Sequence, residues 1–178
     1  LEKLNFRAWI AFTIGALNAF HFTDFIKWKL EQDFAVISPM LKNNPKPYIN
    51  AHPIHRPFEL STRFLPLDVK DKVKEKWEAF RTEFSTKLVN DIDFHILAKK
   101  NPMAMGMVKP ANKEWAINKM NQLLDNNLKF MYDEDWFTEE NNRKFWQYNG
   151  KLDNIRGESM QDKLPELYNA MLKYKVDY

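Results

Sequence analysis

Phe6-Arg7-Ala8-Trp9-Ile10-Ala11-Phe12-Thr13-Ile14, closed by Gly15, is the stretch on which the fold turns. Aromatic and β-branched residues dominate it, the types that suit a pleated, packed surface. Its hydrophobicity is nearly continuous and does not alternate. That pattern predicts a strand covered on both faces, as in parallel sheets. Thr23 is the expected N-cap of a helix carrying Phe22, Phe25, Ile26 and Leu30 at helical spacing. A strand passing promptly into a helix is half of a βαβ unit.

The partners of that strand are sought downstream. Residues 48–52 are one candidate, ending in Asn50-Ala51-His52. Residues 58–64 are the other, because Phe58, Leu60, Thr62 and Phe64 alternate with polar neighbours. Six of the nine prolines fall between residues 34 and 66, so strands here are expected to be short or at a sheet edge. From Asp68 the period changes. Val69, Val73, Trp77, Phe80, Phe84 and Leu88 form one apolar stripe on a charged helix. A Met-rich loop (Met103, Met105, Met107) separates it from a second helix beginning near Asn112 and using Trp115, Ala116, Met120, Leu123 and Leu124. Thr138 is expected to cap a third helix whose stripe runs through Phe145, Tyr148, Leu152 and Ile155, with Gly157 ending it in the left-handed conformation. Ser159 then opens a last helix with Leu164, Leu167 and Met171. A boundary is expected near Leu65-Pro66. The fold class predicted is α/β, with mixed structure in residues 1–65 and a mainly helical region in residues 66–178.

With 178 residues, 44% of them hydrophobic and 15% aromatic, the chain can bury a substantial core. Its 27 basic and 24 acidic side chains are interleaved, as in Lys70-Asp71-Lys72-Val73-Lys74-Glu75-Lys76, which describes a solvated helix face and not a nucleic-acid footprint. No apolar run approaches the ~20 residues of a membrane helix, so no membrane partner is expected. The absence of cysteine excludes disulfides, thiolate metal sites and cysteine-held clusters within these residues.

Residues 12–28, from Phe12-Thr13-Ile14-Gly15 through Asn18 to Trp28, resemble the fifth strand and following helix of the radical S-adenosylmethionine barrel. Residues 55–66, His55-Arg56-Pro57-Phe58-Glu59-Leu60-Ser61-Thr62-Arg63-Phe64-Leu65-Pro66, are similar to the segment after the barrel in twitch-type members from phage and environmental sequences. Leu152-Asp153-Asn154-Ile155-Arg156-Gly157-Glu158-Ser159 and Leu164-Pro165-Glu166-Leu167 resemble the closing pattern of the same family. The resemblance implies the last strand–helix units of a partial (β/α) barrel followed by a helical cover. It further implies a cytoplasmic enzyme using S-adenosylmethionine and a 4Fe-4S cluster on a peptide-like or small-molecule substrate. The family's Cys-x-x-x-Cys-x-x-Cys loop would precede Leu1, so the chain is expected to be a fragment, inactive alone and without a metal site of its own. By the same analogy Thr13, Gly15, Asn18, Asn50 and His52, at the carboxy-terminal ends of strands, would contact the cofactor or substrate.

Each of these features has a plainer reading. Gly15 and Asn18 also suit a simple turn. His52-x-x-His55 offers two metal ligands, but Pro53 disfavours a helix and no third ligand is spaced to join them, so no metal is expected. Asp133, Glu134, Asp135, Glu139 and Glu140 surround Trp136 and Phe137, where negative charge suits a helix start. A different function is also open: a helical adaptor that binds a protein and catalyses nothing.

Overall fold

The computed structural model describes residues 11–31, 40–41, 44–45, 50–92 and 112–176. Residues 6–10 of the expected first strand, Tyr48, Ile49, His95 and the Met-rich loop lie outside the described residues. Helices dominate, with one small parallel pair of strands. In order come β1 (Ala11–Ile14), α1 (Phe22–Glu31), β2 (Met40–Leu41), β3 (Asn44–Pro45), β4 (Asn50–Pro53), α2 (Leu67–Thr86), α3 (Lys113–Tyr132), α4 (Glu139–Arg156), α5 (Met160–Lys163) and α6 (Pro165–Met171). β1 pairs with β4, and the Ile54 N–H continues the ladder by donating to the Ile14 carbonyl at 2.7 Å. β2 and β3 form a short antiparallel hairpin. Every described strand precedes Pro66, and the long helices follow it.

The chain forms two compact units, passing from the first to the second after Phe12, His52 and Asn126 and back after Phe22 and Lys76. In the first unit, Ile26 of α1, the α2 residues Trp77, Phe80 and Phe84, Val89 beyond α2, and Ala116, Met120, Leu123 and Leu124 of α3 are buried. Lys27 pairs with Glu83 at 2.6 Å, and Arg81 reaches both Glu78 and Asp125. Asn112 caps α3 by accepting from the Trp115 N–H at 2.8 Å. In the second unit, Phe64, Leu65, Val69, Val73, Met131, Phe145, Met160, Leu167 and Met171 are buried, with Phe64 stacked against Phe145 at 5.1 Å. The stripe expected for α2 is therefore buried along its length, apart from Leu88, which lies half-buried in a following 3-10 turn. Thr138 caps α4 through the Asn141 N–H, and Gly157 ends it at φ 63°.

Several expectations are corrected. Within β1, Ala11 and Thr13 are exposed and only Ile14 is buried, so the described part of this strand is not covered on both faces. α1 begins at Phe22, which places Thr23 inside its first turn, buried, and not at the cap. Residues 58–64 form two 3-10 turns, Phe58–Leu60 and Thr62–Phe64, in place of a strand. The Ser61 and Leu65 N–H groups donate to the Phe58 and Thr62 carbonyls, and the Ser61 hydroxyl accepts from the Arg63 N–H. Such local bonds use up the donors a ladder would need. The last helix is split into α5 and α6 at Pro165, whose ring suits a first helical position but not an interior one.

The third helix departs most. Its buried side is Asn142, Phe145, Trp146 and Asn149, while Tyr148 is exposed and Ile155 is 81% exposed. Both asparagines are held by their amides: Asn149 donates to the Phe145 carbonyl at 2.8 Å, and Asn142 to the Tyr174 carbonyl at 2.6 Å. A hydrogen-bonded amide can be buried without the full cost of desolvation. Of the stripe expected here, Tyr148 and Ile155 are left exposed and Leu152 is half-buried.

Candidate functional site

Thr13, Gly15 and Asn18 come together in the second unit, at the carboxy-terminal end of β1. The Asn18 amide is turned on the chain itself. The Asn18 side chain accepts from the Gly15 N–H and donates to the Thr13 carbonyl, both at 2.9 Å. The Asn18 N–H donates to the Gly15 carbonyl, and the Asn18 carbonyl accepts from the His21 N–H. This asparagine is the staple of a strand-to-helix turn. Gly15 is extended, at φ −138°, so its role is one of space. A Cβ there would stand 2.6 Å from both the Leu60 carbonyl oxygen and Ile54 Cδ1. Gly15→Ala is accordingly expected to destabilise the protein by ~1–3 kcal/mol, read from a denaturant midpoint, because a backbone oxygen cannot swing aside.

Asn50 and His52 belong to β4 in the first unit, with His52 exposed. His55, in the second unit, meets the Phe130 ring edge-on at 4.8 Å.

Sequence reasoning missed the charge centre of the second unit. Arg63 is only 9% exposed. Its Nε donates to the Phe130 carbonyl at 3.2 Å, and its terminal nitrogens bind Asp133 at 2.6 Å and Glu134 at 3.2 Å. The guanidinium lies over the Phe130 ring at 4.0 Å and the Trp136 ring at 4.8 Å. Lys70, buried beside it, donates to the Glu134 carbonyl at 3.3 Å. Burial lowers the Lys70 pKa and the Arg63 charge adds to that, against the opposing pull of Asp135 and Asp133. Glu134 also accepts from the Trp136 indole at 2.7 Å, and Asp135 from the Phe137 N–H at 3.0 Å. The acidic cluster thus fastens the α3–α4 connection to Arg63. Only Glu139 and Glu140 lie in the first turn of α4, and Glu140 pairs with Lys144 at 2.6 Å. The signal in the sequence was a cluster of carboxylates with two aromatics and a distant arginine, and the distance hid the pairing.

The outward stripe of α4 is the other arrangement with chemical meaning. Tyr148, Leu152 and Ile155 sit at i, i+4 and i+7 and so share one side of the helix. Lys144 and Lys151, three or four residues from members of the stripe, border it, and Arg156 stands at its end; all three are exposed. Compared with known proteins, the chain matches no protein-family model, no curated protein and no solved structure. Among the described residues, no helix is long and apolar enough to cross a membrane.

Proposed function

We propose that this chain is a protein-binding helical module whose docking face is the outer side of α4. The observation that carries this reading is the stripe of Tyr148, Leu152 and Ile155, apolar, exposed in its most hydrophobic member and flanked by positive charge. Isolated exposed apolar residues are ordinary; Tyr148 and Ile155, with the half-buried Leu152 between them in helical register, present the ridge that a second helix packs against. The flanking Lys151 and Arg156, with Lys144 paired to Glu140, select the occupant: an acidic amphipathic helix laying its apolar face on the ridge, with glutamates along the edges of that face. A synthetic peptide of that design should bind the full chain with an affinity that falls as salt rises. Ile155→Asp should weaken it at least tenfold while shifting the unfolding midpoint little, since the residue packs against almost nothing. Equal binding by the wild type and Ile155→Asp would sink the reading.

A second reading is the carboxy-terminal part of a radical S-adenosylmethionine enzyme, supplying cofactor or substrate contacts and a helical cover. It is favoured by the parallel pair β1 and β4 joined through α1, the local topology of a barrel unit. The residues of this chain do not fit the cluster, because it holds no cysteine to ligate iron. The Asn18 amide is engaged within the chain, one N–H on the Thr13 carbonyl and its oxygen on the Gly15 N–H. Equilibrium dialysis separates the two readings. Retention of S-adenosylmethionine, lost on Asn18→Ala, would favour the enzyme; no retention is the outcome expected of the docking module.

A further inference from the structure

The segment Leu172–Tyr174, a single 3-10 turn followed by Lys175, is strapped across the second unit by contacts that read as peptide recognition. The Tyr174 hydroxyl donates to Asp68 near the start of α2, and Lys173 pairs with the other oxygen of the same carboxylate at 2.9 Å. The Tyr174 ring meets Phe137 edge-on at 5.0 Å, and its carbonyl accepts from the Asn142 amide at 2.6 Å. The Lys175 ammonium lies 5.7 Å from the Trp146 ring centre and 5.8 Å from that of Tyr168.

The strap and its seat differ in how firmly they are built. No residue of the turn is fully buried, and Leu172, Lys173 and Lys175 are exposed. The floor of the seat is better covered: Asn142 is 5% exposed, and Phe145 and Trp146 beside it are buried, while Asp68, Phe137 and Tyr168 are half-buried. The Asn142 side-chain oxygen is itself buried and finds no donor among the described residues. Short terminal turns with mostly exposed side chains, held by two part-buried hydrogen bonds and one exposed ion pair, are the segments that open locally.

We infer that Asp68, Phe137, Asn142, Trp146 and Tyr168 form a recognition seat for a short peptide carrying tyrosine between two lysines, which Lys173-Tyr174-Lys175 occupies in cis and a peptide of the same chemistry takes in trans when the strap lifts. The carboxylate reads the phenol, the asparagine reads the backbone, and the two aromatic rings read the following cation. This surface is separate from the outer stripe of α4, and the inference stands without the docking role of that stripe.

The test uses the full chain carrying Tyr174→Ala, which takes the phenol off Asp68 and the ring off Phe137 and leaves every seat residue in place. A labelled peptide of residues 171–176 should bind this variant saturably and at least tenfold more tightly than it binds the wild type, whose own strap competes. Replacing the peptide's tyrosine by phenylalanine, or adding Asn142→Ala to the protein, should each weaken binding about tenfold or more. Equal affinity for wild type and variant, or indifference to both changes, overturns the proposal. Should Tyr174→Ala fail to fold by circular dichroism, hydrogen exchange of the wild type decides. The Lys175 amide, which donates to the Leu172 carbonyl, should then exchange by a local opening, independent of added denaturant. Exchange only through global unfolding rejects the releasable strap.

Discussion

Arg63→Met is expected to lower stability by roughly 3 kcal/mol, the largest effect of any single change in the second unit outside its apolar core. The substitution keeps much of the side-chain volume but removes the charge-assisted bonds to Asp133 and Glu134 and the donor to the Phe130 carbonyl. Hydrogen bonds involving a charged group contribute ~1.5–3 kcal/mol each, and a desolvated cation over an aromatic ring about 2. The sum is discounted because Asp133 and Glu134 are partly exposed and regain water when the arginine goes. Arg63→Lys should recover little, since an ammonium cannot reproduce a planar fork set between two rings. Urea denaturation measures both; a loss below ~1 kcal/mol for Arg63→Met would show that the centre is decorative.

The second large effect is a rise in stability with pH, centred in the first unit on Lys29. This lysine is 5% exposed, and burial pushes its pKa down to about 7 from 10.5. The unfolded chain therefore holds the proton across the interval from about 7 to 10.5 while the folded chain has released it. Where the unfolded state binds more protons, stability increases with pH. Below about 7 both states are charged and the whole penalty is present. At ~1.4 kcal/mol per pKa unit, the gain through the window is on the order of a few kcal/mol. Lys29→Met should flatten the climb of the unfolding midpoint toward pH 10. Lys70, also lowered by burial, adds a slope of the same sign, so the difference between wild type and Lys29→Met isolates Lys29. The comparison stops near pH 10. Above it, Tyr132, whose pKa is raised by burial and by its bond to Asp71, contributes the opposite sign as tyrosines ionise in the unfolded chain. Parallel profiles for the two proteins would contradict the assignment.

What could be read from the chain depended on whether the signal was local. The α2 stripe was legible because a solvated charged face leaves only one side to bury, and Val69, Val73, Trp77, Phe80 and Phe84 are all inside. Thr138 and Gly157 were legible because capping chemistry acts within a few residues. The parallel partnership of β1 followed from a strand running into a helix. The side chosen by α4 was not legible: two stripes share Phe145, and burial falls on the one containing Asn142 and Asn149 because a carbonyl stands ready for each amide. Hydropathy alone favours the other stripe. Residues 58–64 alternate like a strand, yet hydroxyl and backbone bonds between near neighbours fold them into turns. At the proposed ligand positions, Thr13, Gly15 and Asn18 were singled out together, but the bonds among them follow from the turn and not from any spacing. Arg63 and its carboxylates lie about seventy residues apart, and no spacing rule joins them.

Amide chemical-shift mapping of the full chain during titration with a synthetic acidic amphipathic helix bears most directly on function. If the outer side of α4 is the docking face, shifts should concentrate between Lys144 and Arg156 and disappear in Ile155→Asp. A saturating titration that moves resonances elsewhere and leaves Tyr148, Leu152 and Ile155 untouched would contradict it.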